Sequence, residues 1–184
     1  MYFKGGFYKN GVEKPDECFD INPEIAVVSG SEDADREINS PILADARNLH
    51  WFEDGFFNNM ILDPPFMFGI HGKTKNYYSS RTHGILKDFN DLKELYLGIL
   101  KEAYRLLKKG GILIFKCQDF TDSFSFFTHI LVYKLAREIG FYPKDLAILV
   151  KPNKIYNPNI TQRHLRKIHT YFWVFQKKNV RIDI

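Results

Sequence analysis

Four consecutive residues, Asp63, Pro64, Pro65 and Phe66, are the part of this sequence whose types and spacing could do chemistry. Two prolines in a row offer no backbone N–H, so they end a parallel strand and stiffen the turn that follows it. The Asp63 carboxylate and the Pro64 carbonyl then form a rigid pair of hydrogen-bond acceptors beside an aromatic ring. Such a pair suits a planar ring that bears an amino group and stacks on Phe66. We call residues 63–66 the Asp-Pro-Pro-Phe loop.

This acceptor pair predicts the chemistry of an amino group. Hydrogen bonds from the amino hydrogens would draw the nitrogen lone pair out of conjugation with the ring and aim it at an electrophilic methyl group. Most of the rate gain in such a reaction comes from positioning two bound reactants. The alternative is a turn that uses two prolines only to stop a strand. The apolar residues 60–62 before the loop and the aromatic Phe66 at its end favour the chemical interpretation.

The elements that must position the loop follow from the hydrophobic pattern. Short apolar runs typical of buried strands cover residues 25–29, 41–45, 59–63, 112–117, 145–150 and 171–175. Two amphipathic patterns predict helices over residues 88–107 and 123–139, which Gly110 and Gly140 end. We expect residues 1–24 to be mostly irregular. Strands of this kind alternating with helices predict an α/β fold, whose ligands bind at the carboxyl ends of the strands.

The overall composition fits a packed domain and argues against several classes of protein. With 184 residues, 45% of them hydrophobic, the chain is predicted to form a single domain over residues 1–184. Cys18 and Cys117 do not suggest a disulfide framework, and the six histidines show no metal-ligand spacing, so we expect no metal. We see neither a signal peptide nor an apolar run long enough to span a bilayer. We therefore expect a cytoplasmic protein with no membrane partner.

Positive charge concentrates in two segments, residues 67–87 and 151–170, neither of which contains an acid. Both would border the crevice at the carboxyl ends of the strands, and both mix basic with aromatic side chains. Such a mixture is typical of surfaces that bind the backbone and bases of a nucleic acid, although ordinary solvated loops are the alternative. The candidate nucleic-acid-binding residues are Lys73, Lys75, Tyr77, Arg81, Arg163, Arg166 and Lys167.

The Asp-Pro-Pro-Phe loop resembles the signature of amino-group methyltransferases that act on adenine, cytosine or guanine in DNA or RNA. The resemblance continues on both sides of the loop and spans roughly residues 25–178. Residues 45–57 look like the family's segment before the signature strand, and residues 106–114 look like its helix, Gly-Gly turn and fifth strand. Residues 169–175 look like the closing antiparallel strand of small phage- and prophage-type DNA methyltransferases.

The resemblance implies a Rossmann-like class I methyltransferase fold: a mostly parallel sheet with an antiparallel C-terminal strand and helices on both faces. It also implies S-adenosylmethionine as cofactor and adenine in DNA as the favoured target. A target base inside a duplex would have to be flipped out of the stack. The residues implied in catalysis are Asp63, Pro64, Pro65 and Phe66, and those implied in cofactor binding are Asp20, Glu32, Asp45, Ala46 and Asp63.

One departure from the family pattern keeps other functions open. Upstream of residue 25 we find Gly5 and Gly6, and then residues 19–22, in place of a strand followed by a glycine-rich turn. Gly5 and Gly6 fit an ordinary terminal segment, and Phe19 and Asp20 are the alternative remnant of that strand. A catalytically inactive nucleic-acid-binding protein with this fold is therefore an alternative, as is an RNA base methyltransferase. We expect no separate recognition domain within these 184 residues, and we therefore expect sequence selectivity to be modest or to come from a protein partner. At the end of the fourth predicted strand, Gln118 and Asp119 could line the crevice. Alternatively, Asp119 or Ser123 could serve in a turn or as a helix cap.

Overall fold

The computed structural model describes residues 15–20, 42–68, 86–121, 124–150, 165 and 167–178. The predicted strand over residues 25–29 lies outside this part of the chain. Within it, the elements in chain order are β1 (Phe19–Asp20), β2 (Ile42–Leu43), β3 (Phe57–Leu62), α1 (Phe89–Leu106), β4 (Leu107–Cys117), β5 (Phe120–Thr121), β6 (Ser125–Phe126), α2 (Thr128–Ile139), β7 (Phe141–Val150) and β8 (His169–Lys177).

A mixed four-stranded sheet in the order β3-β4-β8-β7 forms the centre of the fold. β3 and β4 run parallel, whereas β8 pairs antiparallel with both β4 and β7. The α/β fold and the antiparallel C-terminal strand are thereby confirmed. The predicted mostly parallel sheet is corrected, because β8 pairs antiparallel on both sides and only β3 and β4 run parallel within this sheet. Two short ladders flank it: β1 pairs parallel with β2, and β5 pairs antiparallel with β6. The β1 strand is an exception to the irregular N-terminal segment that we expected.

The predicted helix over residues 88–107 is confirmed as α1. Asp88 is its N-cap, and the carboxylate accepts hydrogen bonds from the backbone N–H groups of Asn90 and Asp91. Its end differs from the prediction, because the helix stops at Leu106 and β4 begins at Leu107, three residues before Gly110. Leu107 has an extended backbone, with φ of −73° and ψ of 139°, and is fully buried as the first residue of β4.

The predicted helix over residues 123–139 starts too early and is corrected. Within that range Ser125 and Phe126 form β6, which pairs with β5 as a hairpin, and α2 begins only at Thr128. Phe120 and Phe126 stack on each other at 5.0 Å between ring centroids, and Phe68 packs edge-on against both at 4.9 Å. These aromatic contacts favour the hairpin over another helical turn. The helix ends as predicted at Gly140, whose φ of 116° is left-handed.

Both described helices pack against one face of the sheet. The buried side chains of β4, Leu113, Phe115 and Cys117, form one hydrophobic core with Tyr96 of α1 and Val132 of α2. The alternate residues of β4 point to the opposite face. A second helical layer on that face stays a prediction. Neither α1 nor α2 is long and apolar enough to cross a membrane.

Candidate functional site

The Asp-Pro-Pro-Phe loop begins where β3 ends, at Leu62. Leu62 is the register partner of Phe115 in the parallel strand β4, which places the next pair of residues, Asp63 and Lys116, side by side. The Nζ atom of Lys116 donates a hydrogen bond to Oδ2 of Asp63 over 2.8 Å. The side chain of Asp63 remains 38% exposed. The carboxylate on which the predicted chemistry depends therefore stands open at the carboxyl edge of the sheet.

Tyr96 holds the same loop from the side of α1. Its hydroxyl donates to the backbone carbonyl of Pro65 over 3.0 Å, while its ring is buried and packs edge-on against Phe115. Burial, with a smaller contribution from the negative charge of Asp63, raises the pKa of the Tyr96 hydroxyl well above its usual value. The hydroxyl therefore stays protonated and remains a donor. The periodicity of α1 indicated only that Tyr96 faces the core.

Aromatic packing anchors the chain directly after the loop. Phe66 is half-buried, and Phe68, two residues on, lies edge-on against Phe89, Phe120 and Phe126. These rings come from three separate parts of the chain. The loop is thus fixed at its start by β3, in its middle by Tyr96 and after its end by the Phe68 cluster.

The segment before β3 follows α1 turn by turn. Arg47 packs on Gly98, where an added Cβ would lie 3.0 Å from Cγ of Arg47. One turn later, the backbone N–H of Leu49 donates to the Glu102 carboxylate over 2.8 Å. Near the end of α1, the guanidinium of Arg105 donates hydrogen bonds to the backbone carbonyl of Phe52 and to the carboxylate of Asp54. This direction places Asp45 towards the N-terminal half of α1, the half in which Tyr96 binds the Pro65 carbonyl.

The residues predicted to bind the cofactor come together in part. The backbone N–H of Ala44 donates to the carbonyl of Asp20, so Asp20 and Asp45 lie at the ends of the paired strands β1 and β2. Hydrogen bonds from Arg47 lower the pKa of the Asp45 carboxyl and keep it ionised. Glu32 lies outside the described residues.

The carboxylates of Asp20 and Asp45 are acceptors of the kind that fit the hydroxyl and amino donors of a nucleoside. The Asp45 side chain keeps 34% of its surface exposed, although Arg47 engages both of its oxygens. These residues are therefore chemically suited to the adenosine portion of S-adenosylmethionine, and their role in binding it stays a prediction.

One of the predicted nucleic-acid-binding residues is described, and it lies at the expected edge. The carbonyl of Lys167 accepts a hydrogen bond of 3.4 Å from Nε2 of Gln118, the residue after β4. The Nζ atom of Lys167 lies 5.3 Å from the centroid of the Phe127 ring, and Phe127 is 52% exposed. The other candidates lie outside the described residues: Lys73, Lys75, Tyr77, Arg81, Arg163 and Arg166.

Asp119 is buried beside the start of α2 and hydrogen-bonds the first turn of that helix, whose N-cap residue is Phe127. The residue is only 2% exposed, and its Oδ1 atom pairs with Nδ1 of His129 at 2.7 Å. The same oxygen accepts from the backbone N–H of His129 and contacts the Thr128 hydroxyl at the start of α2. The His129 ring in turn stacks on Tyr171 at 4.1 Å. Among the described residues, no group of side chains could hold a metal ion.

Comparison with known protein families assigns most of this architecture to a single group. The family described as DNA methylase, of the N6/N4 type, matches residues 57–183, which is more than half of the 184 residues. This range contains the Asp-Pro-Pro-Phe loop, α1 and the whole four-stranded sheet. A comparison with curated proteins gives no match.

Solved structures share the fold at low sequence identity. A protein from Thermus thermophilus, named as a DNA modification methylase, is 19% identical with a TM-score of 0.54, over 77% of this chain and 55% of its own. The same protein in complex with S-adenosyl-L-methionine gives 18% identity and a TM-score of 0.53, over 76% of this chain and 56% of its own. The cytosine-N4-specific PvuII DNA methyltransferase gives 17% and 0.53, over 73% of this chain and 47% of its own.

This chain thus spans about half the length of the solved structures that it resembles. The expected cofactor is confirmed at the level of the family, since its donor is S-adenosylmethionine. The family match covers the strand, loop and helix that build the site described above. The chain belongs to the N6/N4 DNA methylase family.

Proposed function

We propose that this chain transfers a methyl group from S-adenosylmethionine to the exocyclic amino nitrogen of a DNA base, with adenine as the favoured target. The observation that carries the proposal is the Asp63 carboxylate, paired with Lys116 and exposed at the end of β3. The rest of the loop is held against α1 by the hydrogen bond from the Tyr96 hydroxyl to the Pro65 carbonyl. An acceptor fixed in this way matches an amino group better than any other nucleophile of a base.

Each residue of the loop has a role in this reaction. The Asp63 carboxylate and the Pro64 carbonyl accept hydrogen bonds from the two amino hydrogens and so orient the nitrogen lone pair. Pro65 stiffens the turn, and Phe66 stacks on the face of the base, a contact of roughly 1–3 kcal/mol. The bound donor supplies the electrophilic methyl group. The chain then contributes chiefly by positioning the two reactants, and the negative charge of Asp63 stabilises the positive charge that develops on the nitrogen.

The donor is proposed to bind beside the loop. Asp45 and Asp20 accept hydrogen bonds from its adenosine portion, and Ala46 leaves space for the adenine ring. Arg47 holds the Asp45 carboxylate in a fixed orientation through its own hydrogen bonds. Asp63 borders the same space from β3.

The polymer is proposed to lie along the edge that carries Lys167 and Phe127. A cation and an exposed ring at 5.3 Å offer one contact to a phosphate and one to a base. DNA is favoured by the family to which the chain belongs. Cytosine is the second candidate target, because one structural relative is named as cytosine-N4-specific.

The test is transfer of a labelled methyl group from S-adenosylmethionine to synthetic single strands. DNA strands with adenine or cytosine as their only amino-bearing base, and RNA strands of the same sequences, separate base from polymer. We expect label in the adenine-containing DNA strand. Label in the cytosine strand alone would change the base, and label in RNA alone would change the polymer. No label in any strand would favour an inactive nucleic-acid-binding protein.

A further inference from the structure

The ion pair between Asp63 and Lys116 lies at the candidate site and adds little to stability. Its two charged atoms are 2.8 Å apart, yet the side chains remain 38% and 33% exposed. Ion pairs with this degree of exposure contribute little to the free energy of unfolding, because water screens the charges and two long side chains must be ordered. The pair stands at the carboxyl edge of β3 and β4, where ligands of such sheets bind.

The position of Lys116 within β4 is unusual for a lysine. Its neighbours Phe115 and Cys117 are buried in the core, and its register partner on the other side is Phe172. Lysine is depleted in strands, and more so beside buried apolar residues. The strand alternation turns Lys116 to the face opposite Phe115, where the end of β3 brings Asp63 beside it. The register therefore delivers an ammonium group to the reactive carboxylate.

The two groups together form a donor next to an acceptor. An ammonium group has three N–H donors, and Lys116 donates one of them to Oδ2 of Asp63. An ionised carboxylate is acceptor-only and has several acceptor positions. Among the described residues, no other hydrogen bond engages either side chain. The structure thus offers, 2.8 Å apart, an acceptor for an amino hydrogen and a donor for a neighbouring lone pair.

Adenine and cytosine share an edge that is complementary to this arrangement. In both bases the exocyclic amino group, a donor, sits on a ring carbon next to an unprotonated ring nitrogen, an acceptor. Enzymes that act on a flipped base read this Watson–Crick edge by hydrogen bonds. Two parallel hydrogen bonds would also fix the angle of the base in its plane, which a single amino contact cannot do.

We propose that Lys116 contacts the substrate, donating a hydrogen bond to adenine N1 or cytosine N3 while Asp63 accepts from the adjacent amino group. The inference rests on the proposed function and adds to it the part of the base that the site reads. It makes Lys116 a specificity-determining residue in addition to the four residues of the loop. A base that keeps the amino group but lacks the ring nitrogen would lose one charge-assisted hydrogen bond.

The test compares adenine with 1-deazaadenine, in which a C–H group replaces the ring nitrogen N1, as the single target in a DNA strand. Labelled-methyl transfer is measured for the wild type, for Lys116→Met and Lys116→Arg, and for the control Lys108→Met at the opposite, exposed end of β4. For the wild type we expect kcat/KM to be about tenfold to a hundredfold lower with 1-deazaadenine, the loss of one hydrogen bond to a charged group.

The variants separate recognition of the ring nitrogen from the intrinsic reactivity of the two bases. Lys116→Met is expected to lose activity on adenine and to distinguish the two bases by less than about threefold. Lys116→Arg, which keeps a cationic donor, should recover part of the discrimination, and Lys108→Met should match the wild type. Thermal unfolding of each variant shows that it is folded.

Two results overturn the inference in distinguishable ways. If the wild type transfers to adenine and Lys116→Met discriminates between the bases as strongly as the wild type does, Lys116 does not contact the ring nitrogen, and the proposed function stands. If the wild type transfers to neither base in any strand, the proposed function fails, and the inference fails with it.

Discussion

Two acids follow neighbouring strands of the sheet, Asp63 after β3 and Asp119 after β4, and their surroundings are opposite. Asp119 is 2% exposed, and its carboxylate is engaged by His129 and Thr128 at the start of α2. Asp63 keeps 38% of its side chain exposed and bonds one lysine that is itself partly exposed. Two acids at the same edge of a sheet thus differ in the number of partners that the fold supplies.

The two acids differ in whether a ligand can reach them. A buried carboxylate whose acceptors are filled by its own chain contributes to stability, because leaving it unpaired would be costly. An exposed carboxylate with open acceptor positions contributes little to stability and can accept from a substrate. We therefore assign a role in stability to Asp119 and a role in the reaction to Asp63.

The largest effect is expected from Asp63→Ala. Loss of a preorganised acceptor at the reactive nitrogen should lower kcat for methyl transfer by roughly 10²–10³-fold. The free energy of unfolding should change by no more than about 0.5 kcal/mol, because the side chain is exposed. Labelled-methyl transfer and urea unfolding measure the two quantities. The matched control is Asp54→Ala, an 80% exposed acid at the opposite end of β3, and it should leave kcat unchanged.

The reverse pattern is expected from Asp119→Ala. Removing the buried carboxylate leaves the backbone N–H and the ring Nδ1 of His129 without their partner, which should cost about 1–3 kcal/mol in the free energy of unfolding. The folded fraction should still transfer methyl groups at a rate near that of the wild type. Urea unfolding and an assay at low temperature measure both. If Asp119→Ala kept full stability and lost transfer, the division between the two acids would be wrong.

An intermediate effect is expected from Tyr96→Phe, because Tyr96 joins the core to the loop. The change removes the hydroxyl that donates to the Pro65 carbonyl and should destabilise the protein by about 1 kcal/mol. We also expect kcat to fall severalfold, since the loop is held less firmly. The control is Tyr104→Phe on the same helix, whose hydroxyl lies beside Gly140 at its other end. Equal transfer by both variants would show that the hydroxyl does not position the loop.

The smallest effect is expected in the pH dependence of stability, through Tyr171, which lies near Asp119. Burial, followed by the charge of Asp119, raises the pKa of Tyr171 from 10.0 to about 12. The folded state therefore binds the phenolic proton more tightly than the unfolded state does. This contribution to stability is complete below pH 10 and is lost as the pH rises towards 12. Unfolding midpoints over this range should fall more for the wild type than for Tyr171→Phe, and identical profiles would contradict the assignment.

Local sequence pattern was sufficient for the part of the site that is contiguous in the chain. The apolar run before Asp63 predicted β3, the two prolines predicted its end, and the spacing of apolar residues with Asp88 predicted α1. These signals lie within a few residues of the features that they predict. The position of the Asp-Pro-Pro-Phe loop at the carboxyl edge of a mixed sheet followed from them.

The partners of the loop could not be predicted, because they depend on distant contacts. Lys116 lies 53 residues from Asp63, and Tyr96 lies 31 residues from Pro65. The first pair requires the register of β3 against β4, and the second requires the packing of α1 on the sheet. Neither leaves a periodic signal in the sequence.

The β5–β6 hairpin shows a different limit of the local pattern. The periodic apolar residues that predicted the helix begin at Phe127, and the prediction extended the helix back to residue 123. Phe126 instead lies in β6 and packs against Phe68 and Phe89. Periodicity within a helix does not locate its first residue, because that boundary depends on these long-range contacts.

The most direct test of the role assigned to Asp63 is the identity of the methylated atom. DNA is incubated with S-adenosylmethionine and either the wild type or Asp63→Ala, digested to nucleosides and analysed by mass spectrometry against methylated standards. We predict a methyl group on an exocyclic amino nitrogen, N6 of adenine in the first instance, and its near absence with Asp63→Ala. Methylation of a ring atom, or equal amounts of product from both proteins, would contradict the role assigned to Asp63.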